Sequence, residues 1–300
     1  MRHSPWTYLG LTALGSWRMA QTTLIPRALF FLWLLLSVQC VDSKSDLVVS
    51  LENQQIIVDV HNDLRREAAT NGPSGAATNM RMVYWDDDIA ARAQALVDTC
   101  IFKHDTNYER AVASLPGVSM GQNIAAVRPP GDVQDWEPRI RSWYNELKHF
   151  RYGRATPRAS HFTQLSYWET YRVGCGFKIC PLRKGYLWGF YFCNYAMIRG
   201  RKNMKKPWTD GKQCSECPDN CVNGLCDCGD TACFNRGTMN ITTCKCECAP
   251  APFTKEMDSF FSGVSCEIVN CPATDPKYCK PGKCQGNWPY LYCPRTCGLC

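Results

Sequence analysis

Apolar residues recur at helical spacing in three segments of the N-terminal half of the chain. The segment 56–68 places its apolar side chains on one helical face, and Asn71-Gly72-Pro73 predicts where that helix ends. The segment 89–100 predicts a second helix, preceded by three aspartates at 86–88 whose charge suits the positive end of a helix. The segment 136–150 predicts a third helix, because its apolar residues follow the same period.

Two later segments have the aromatic and aliphatic composition of β-strands. Residues 171–179 and 186–195 are separated by a turn from Pro181 to Gly185, which predicts an antiparallel pair. Helices followed by strands predict an α+β domain or an α-β-α layered unit. Residues 41–213 contain four cysteines and many apolar residues, so this part is long enough to bury a core of its own.

Cysteine usage divides the chain after residue 213. Residues 214–300 contain sixteen of the twenty-one cysteines, a density that indicates a disulfide scaffold. Such thiols persist as disulfides only outside the reducing cytosol. Each disulfide stabilises a small module by roughly 2–4 kcal/mol, mainly by restricting the unfolded chain. We therefore expect a secreted, extracellular protein with cysteine-rich modules at its C-terminal end.

A signal peptide is predicted at residues 1–40. Residues 29–36 form a short apolar run behind Arg27, and cleavage after Cys40 leaves twenty cysteines, an even number that allows complete pairing. Because a leader that starts at Met1 is unusually long, Met19 is the alternative start. The apolar run is too short to span a bilayer and no other stretch is apolar enough, so we expect no transmembrane span.

The chain is mildly basic. The formal net charge is +7 at pH 7, and removal of the leader, which has three arginines and no acids, lowers it to +4. This charge does not by itself indicate a nucleic-acid partner. The basic run 199–206 is compatible with binding to heparan chains, anionic lipid or a protease, but composition favours the alternative, a solvated basic linker over residues 199–213.

Four motifs, in order along the chain, resemble the signatures of the CAP superfamily and, within it, the cysteine-rich secretory proteins. The resemblance covers roughly residues 54–228. It implies that residues 41–198 form a CAP domain, an α-β-α sandwich with a shallow cleft. The motifs are His61-Asn62-x-x-Arg65, Gly121-Gln122-Asn123-Ile124, His161-Phe162-Thr163-Gln164 and Phe192-Cys193-Asn194-Tyr195.

In relatives, two histidines and two glutamates converge in that cleft and often hold a divalent metal. The matching positions here are His104, Gln122, Glu146 and His161. The amide of Gln122 cannot neutralise a cation or polarise a bound water as a carboxylate does. Two imidazoles still suffice for a weak site for zinc or another divalent cation, although no cofactor is required. The alternative is a polar cleft with hydrogen-bonded histidines and no metal; for His61 we expect a structural place in the core.

The resemblance also implies the disulfide pairing. Secretory relatives have a further cysteine pair at the positions of Met120 and Ala196, and the loss of both leaves no unpaired thiol. Residues 214–227 resemble the hinge of these proteins, 228–267 an EGF-like module and 271–300 a ShK-type (ShKT) module. The implied pairs are Cys100–Cys180, Cys175–Cys193, Cys214–Cys221, Cys217–Cys226, Cys228–Cys244, Cys233–Cys246, Cys248–Cys266, Cys271–Cys300, Cys279–Cys293 and Cys284–Cys297.

Three features of these modules bear on function. Asn240 begins a glycosylation sequon, which predicts a surface position in the EGF-like module. The stretch 255–262 lengthens the last loop of that module and is interpreted as an insertion. The ShKT module lacks the lysine that some toxins insert into a channel pore. Its Trp288, Tyr290 and Tyr292 form either a contact surface or the small core of the module.

These features together predict a secreted, monomeric, non-enzymatic binding or modulator protein. The CAP domain is the expected scaffold, and the cysteine-rich modules present contact surfaces to an extracellular target, which is an ion channel, a receptor, a sterol or other lipid, or matrix. One alternative is a metal-assisted hydrolase or protease that uses the cleft, but the chain has no His-Glu-x-x-His motif and every mature cysteine is needed for a disulfide. The other alternative is a structural component of matrix or mucus.

Overall fold

The structure is a computed structural model that describes residues 49–106, 109–130, 134–181, 185–197, 204–250, 259–280, 293–298 and 300. All of them belong to one compact unit, Lys44–Cys300. The predicted leader, the alternative start at Met19 and the three ShKT aromatic residues lie outside the described residues. None of the helices in the described ranges combines the length and the apolar character needed to cross a bilayer.

Two long helices occupy the first two predicted segments. Helix α1 spans Leu51–Asn71 and ends at Gly72, as predicted. Helix α2 spans Asp87–Val97. The side chain of Asp86 accepts a hydrogen bond from the backbone N–H of Ile89 at 2.9 Å, so the first of the three aspartates caps this helix.

The remaining helices are short. Helix α3 spans Trp136–Tyr144 and continues as a 3-10 helix, Asn145–His149, so the predicted third helix tightens in its last turn. A 3-10 turn, Pro157–Ala159, leads into helix α4, Ser160–Leu165, which is too short to produce a periodic signal. Cys100, predicted at the end of the second helix, lies beyond it with a left-handed φ of 54°.

The central sheet has four strands: β1 (Tyr84–Trp85), β2 (Ser119–Val127), β3 (Thr170–Pro181) and β4 (Leu187–Met197). Their order across the sheet is β1-β3-β4-β2. Strands β3 and β4 are antiparallel, which confirms the predicted pair. Strand β2 pairs antiparallel with β4 and forms one edge of the sheet. Strand β1 pairs in parallel with β3 and forms the other edge.

Helices cover both faces of this sheet, which confirms the α-β-α sandwich. Helices α1, α3 and α4 pack on one face through a core that includes Trp136 and Phe162. Helix α2 packs on the other face through Val97. Its close approach requires glycine in the sheet, because a Cβ on Gly176 would lie 2.6 Å from the Cα of Gln94.

The motif residue Arg65 is a buried structural cation. Burial lowers the pKa of Arg65 to about 9, so the guanidinium remains charged at neutral pH. Its N–H groups tie α1 to the segment between α4 and β3, and charged hydrogen bonds of this kind are among the stronger ones in proteins. The guanidinium donates at 2.7 to 3.1 Å to the backbone carbonyls of Arg81, Leu165, Tyr167 and Thr170.

The segment predicted as a solvated linker, 199–213, packs against the CAP domain over its described part, 204–213. Trp208 is only 1% exposed, and its ring lies against those of Phe150 and Tyr152. Its backbone carbonyl accepts a hydrogen bond from the Tyr152 hydroxyl at 2.6 Å. The linker interpretation was wrong for this part, because composition reflects the many lysines and arginines and not the single tryptophan that anchors the segment.

Described residues form nine disulfides, and each joins a pair that the resemblance implies. Two lie in the CAP domain, two in the hinge, three in the EGF-like segment and two in the C-terminal segment. Cys284, the implied partner of Cys297, lies outside the described residues. Met120 and Ala196, the positions of the missing cysteine pair, are buried directly opposite each other on β2 and β4.

The hinge and the EGF-like segment share a hydrophobic core with the CAP domain. Met120 of β2 belongs to the same buried cluster as Met239 and Ile241 of the EGF-like segment. The backbone N–H of Met82 donates to the carbonyl of Cys226 in the hinge at 2.9 Å. The CAP domain, hinge and EGF-like segment are therefore packed together rather than strung on flexible linkers.

Small antiparallel hairpins complete the cysteine-rich part. The sequon residue Asn240 is half-buried at the end of one of them, and its glycosylation stays a prediction. The hairpins pair β5 (Cys221–Val222) with β6 (Leu225–Cys226), β7 (Thr238–Asn240) with β8 (Lys245–Glu247), and β9 (Phe261–Ser262) with β10 (Ile268–Val269).

The stretch interpreted as an insertion, 255–262, contributes to the core of its module. Of its residues, 259–262 are described. Phe260 and Phe261 are 1% and 4% exposed and pack with Cys266. The end of this stretch is therefore part of the hydrophobic core of the module, to which it adds buried contacts beyond the disulfides. It is not a surface loop outside that core.

Candidate functional site

The four cleft residues of the sequence analysis form two hydrogen-bonded pairs. His104, in the segment after α2, donates from Nδ1 to Oε1 of Gln122 at 2.6 Å. His161, in α4, donates from Nδ1 to Oε1 of Glu146 at 2.6 Å. Each imidazole therefore keeps Nε2 as its second ring nitrogen, and neither Nε2 has a hydrogen-bond partner among the residues that the structure describes.

The side chain of Gln122 is buried and fully hydrogen-bonded. Its Nε2 donates to Oδ1 of Asp105 at 3.1 Å and to Oδ1 of Asn194 at 2.9 Å, while its Oε1 accepts from His104. Asn194 lies directly opposite Gln122 in the register of β2 and β4. An amide fits this environment because it donates to two oxygens and accepts from an imidazole. A carboxylate at this position would direct an oxygen towards two other oxygens.

Asp105 places a carboxylate beside His104. Its side chain is 6% exposed, and Oδ1 lies 3.2 Å from Nε of Arg110. Burial raises the pKa of Asp105, and the positive charge of Arg110 opposes that shift. The sequence analysis missed Asp105, and it named Asn194 as part of a motif but not as a site residue. The position of Asp105 directly after His104 was a signal for the first, whereas the second requires the strand register.

Glu146 positions His161 and caps helix α4. Its Oε2 accepts from the backbone N–H of His161 at 2.9 Å and lies 3.5 Å from that of Phe162. The first N–H groups of a helix have no partner within the helix, and a carboxylate is a favourable acceptor for them. The ring of Trp143 stacks against the His161 ring, with 6.1 Å between centroids. Both oxygens of Glu146 are thus used to hold the helix and its imidazole.

The His104–Gln122 pair and the His161–Glu146 pair lie on the two sides of the edge strand β2. The side chains of Gln122 and Asn123 point to opposite faces of the sheet, because they are consecutive residues of a strand. Asn123 donates from Nδ2 to the backbone carbonyl of His161 at 3.1 Å. A Cβ on Gly121 would collide with the side chain of Gln164 in α4. Consecutive residues of β2 therefore hold both pairs at one stretch of the sheet edge.

His61 lies in the core, as predicted. It is 1% exposed, its Nδ1 donates to the carbonyl of Ile57 at 2.7 Å, and its Nε2 accepts from the Tyr195 hydroxyl at 3.0 Å. Burial lowers the pKa of His61 to about 4, so the ring is neutral at neutral pH. Asn123 Nδ2 lies 3.4 Å from the same hydroxyl. A chain of hydrogen bonds thus connects the site strand to helix α1.

The site offers a cation two imidazole nitrogens, one from His104 and one from His161. Each ring is oriented through Nδ1 by an oxygen acceptor, as metal-binding histidines commonly are. In the described part of the chain, no three histidine or carboxylate side chains bring ligand atoms within 4.8 Å of one another; Cys214, Cys217 and Cys226 do so, but all are in disulfides. Two nitrogens are fewer than the three or four protein ligands of most zinc sites.

A Gly-x-Ser-x-Gly sequence occurs at 117–121, and the sequence analysis missed it. In hydrolases this motif places the serine on a sharp turn between a strand and a helix. Here Ser119 begins strand β2 and lies opposite Met197 of β4. No described histidine forms a hydrogen bond with Ser119. The motif is therefore the start of an edge strand and not a nucleophile elbow.

Known proteins match both the CAP domain and the cysteine-rich part. The family described as CAP, the cysteine-rich secretory protein family, matches residues 58–195. Cysteine-rich secretory protein 3 of Equus caballus is 35% identical over 184 residues, which cover 60% of this chain and 70% of that protein. Cysteine-rich venom protein Mr30 of Conus marmoreus is 30% identical over 280 residues, which cover 87% of this chain and 86% of that protein.

A solved structure is also similar. The crystal structure of NaASP2 with Zn2+ is 25% identical in sequence and matches with a TM-score of 0.49. The match covers 60% of this chain and 97% of the NaASP2 chain. The similarity to the Conus protein covers 280 residues, so it extends beyond the CAP domain into the cysteine-rich part. This chain belongs to the cysteine-rich secretory protein (CAP) family.

Proposed function

We propose that this protein is a secreted, non-enzymatic binding protein that recognises an extracellular target. The observation that carries the proposal is the side chain of Gln122, whose polar atoms form hydrogen bonds with His104, Asp105 and Asn194. A general base needs a free lone pair near the reacting proton. The neutral amide of Gln122 does not take up a proton near neutral pH, so it is not a base, and both oxygens of Glu146 already accept hydrogen bonds from His161 and its helix.

The packing of the cysteine-rich part supports a single binding body. Because the hinge and the EGF-like segment share a core with the CAP domain, their surfaces keep a constant relation to one another. A preorganised surface loses less conformational entropy on binding than flexibly linked modules do. Membership of a family that includes venom proteins is in keeping with such a modulator role.

The test is capture of a target by the mature protein, residues 41–300. The native protein is immobilised and exposed to extracellular fluid and to solubilised membranes, and the same protein after reduction and alkylation is the control. We expect saturable capture that the control loses, because the modules depend on disulfides. Retention only of bulk matrix, equally by both forms, would instead support the structural alternative.

We also propose that His104 and His161 bind a divalent cation weakly. The support is the orientation of both rings through Nδ1, which leaves Nε2 of each as a ligand. In a calorimetric titration with zinc, His104→Gln and His161→Gln should each lower the affinity by about 10-fold or more. His149→Gln, at the exposed end of the 3-10 helix after α3, is the control. Unchanged affinity in both cleft variants would contradict the assignment.

A metal-assisted hydrolase is the second candidate function. The observation in its favour is that a carboxylate, Glu146, orients the imidazole of His161 at 2.6 Å, as in many catalytic pairs. The test is cleavage of a peptide library in the presence of zinc. Cleavage that is lost in His161→Gln and retained in His149→Gln would make this function the leading one.

A further inference from the structure

Two basic segments of the chain meet beside helix α4. Residues 148–158 and 204–206 contain six lysines and arginines, and no acid occurs between residues 147 and 168. None of the six forms an ion pair with an acid in the described part of the chain, so their charges are not neutralised within this surface. All six are exposed residues: Lys148, Arg151, Arg154, Arg158, Lys205 and Lys206.

A backbone hydrogen bond joins the two segments. The N–H of Gly153 donates to the carbonyl of Lys205 at 2.8 Å. The buried Trp208, whose ring packs against that of Tyr152, anchors the second segment. The ammonium group of Lys206 lies 5.9 Å from the centroid of the same tyrosine ring. Lysines and arginines from distant parts of the sequence therefore share one surface.

A tight turn brings two of the arginines together. The N–H of Arg154 donates to the carbonyl of Arg151 at 3.0 Å, so the first and last Cα atoms of this turn lie within about 7 Å. Gly153 allows the turn because its φ of 79° is left-handed. The 3-10 turn Pro157–Ala159 carries Arg158. The guanidinium groups of Arg154 and Arg158 have no hydrogen-bond partner among the described residues, so both are available to an anion.

A groove of about 310 Å³ lies between the two segments. This volume is at the lower end of the range for small-ligand sites. Three residues with hydroxyl groups line the groove together with Lys205, and a hydroxyl both donates and accepts hydrogen bonds. The surface made by the six cations and this groove is here called the basic groove. The three hydroxyl residues are Thr156, Ser160 and Thr163.

We propose that the basic groove binds sulfated polysaccharide chains. Such a chain offers sulfate groups to the lysines and arginines and sugar hydroxyls to the wall of the groove. A planar guanidinium pairs with an oxyanion through two parallel N–H groups. A bilayer suits this surface less well, because none of the large exposed apolar residues of the described chain lies in 148–163 or 204–206 to enter the acyl region.

Binding of a sulfated chain at this place rests on the proposed binding function and narrows it to one surface and one class of target. It differs from the heparan binding that the run 199–206 allows by sequence, because it depends on Arg154 and Arg158 of a separate segment. Of that run, residues 204–206 are described, and only Lys205 and Lys206 contribute here.

The test is binding of the mature protein, residues 41–300, to immobilised heparin at several salt concentrations. We expect saturable binding that weakens as salt rises, because salt screens exposed charges. Arg154→Gln combined with Arg158→Gln should lower the affinity by about 10-fold or more. The matched control, Lys212→Gln combined with Lys245→Gln, removes the same charge from exposed residues elsewhere and should bind within about 2-fold of the native protein.

A second pair of variants tests the groove without changing the charge. Ala155→Trp places an indole ring at a residue that lines the groove and should also lower the affinity by about 10-fold. Ala91→Trp, at an exposed position of α2, is its control and should bind as the native protein does. Heparin from which the sulfate groups have been removed should bind the native protein about 10-fold more weakly or less.

Equal weakening in the arginine and lysine double variants would overturn the proposal, because binding would then depend on net charge alone. Undiminished affinity in Ala155→Trp, or for desulfated chains, would also overturn it. Equal affinity for polyglutamate or for vesicles with phosphatidylserine would do so too, because the surface would then accept any polyanion. A native protein that does not bind heparin leaves capture of other extracellular targets untouched, so the two proposals fail separately.

Discussion

The side-chain amide of Gln122 donates a hydrogen bond to the carboxylate of Asp105 across 3.1 Å. The motif resemblance implies a glutamate at the first of these positions, where this chain has an amide. The amide supplies the donor that the buried aspartate needs, and burial already raises the pKa of Asp105. A glutamate at position 122 would therefore place a second carboxylate beside Asp105, which is poorly solvated. We expect this substitution to destabilise the folded protein.

We expect Gln122→Glu to lower the free energy of unfolding by about 1–3 kcal/mol at neutral pH, because it removes a donor from two buried acceptors. The loss should shrink as the pH falls. The facing carboxyl groups have raised pKa values in the folded state, so the folded variant binds more protons than the unfolded one. Urea denaturation of the variant and the native protein at neutral and acidic pH measures both effects.

The control for that experiment is the double variant Gln122→Glu with Asp105→Asn, which restores a donor opposite the new carboxylate. It should recover most of the lost stability at neutral pH. A single variant as stable as the native protein at neutral pH would show that the Gln122–Asp105 contact is not what holds this side of the site.

Glu146→Gln should weaken both the capping of α4 and the orientation of His161. An amide has one oxygen and cannot accept from the ring and from the backbone N–H groups as the two carboxylate oxygens do. We expect a loss of about 0.5–2 kcal/mol in the free energy of unfolding, as for other lost helix caps. Glu137→Gln, at an exposed ion pair with Arg141, should change stability by less than about 0.5 kcal/mol. Equal losses in both variants would refute the capping role.

His61 should make the protein less stable in acid. Its folded-state pKa is lowered to about 4, so between the ordinary histidine pKa and that value the unfolded state binds more protons than the folded state. The stability that it contributes is present above the unfolded pKa and is lost as the pH falls towards 4, by about 3 kcal/mol. His61→Gln keeps a donor and an acceptor but does not titrate, so its stability should vary less over this range. Parallel pH profiles would contradict this account.

Ile241→Ala, in the EGF-like segment, should destabilise the CAP domain as well. Ile241 is 6% exposed in the core that it shares with Met120 of β2. Truncation of a buried isoleucine costs about 2–5 kcal/mol. Hydrogen exchange of the β2 amides should become faster in this variant and remain unchanged in Val264→Ala, which alters an exposed side chain. Faster exchange confined to the EGF-like segment would show that the parts unfold independently.

The fold was largely predictable because its signals are local. The spacing of apolar residues predicted α1 and α2, and the turn from Pro181 to Gly185 predicted the β3–β4 pair. The prediction failed for residues 204–213, where one buried side chain, Trp208, outweighs the surrounding charges. That the stretch 255–262 is an insertion stays a prediction, and loop length did not reveal that Phe260 at its end is packed inside the module.

The site was predictable as a set of residues but not as an arrangement. The motif resemblance supplied His104, Gln122, Glu146 and His161, and each histidine was found bonded to one of the other two. Of the partners of Gln122, Asp105 had a signal in its position after His104, but Asn194 was not predictable. Asn194 contacts Gln122 through strand pairing, across a separation of 72 residues along the chain.

Pattern and composition alone predicted the disulfide-rich class and the layered α+β fold, because periodicity and cysteine content are properties of the linear chain. The motif resemblance implied the loss of one cleft carboxylate, because residue identity can be read from the sequence. Only the tertiary structure decided that both polar atoms of the Gln122 side chain are hydrogen-bonded, that Glu146 caps a helix, and that the hinge and EGF-like segment share a core with the CAP domain. These facts depend on strand register and on contacts between distant residues. Such contacts form only when burial of the common core brings those residues together.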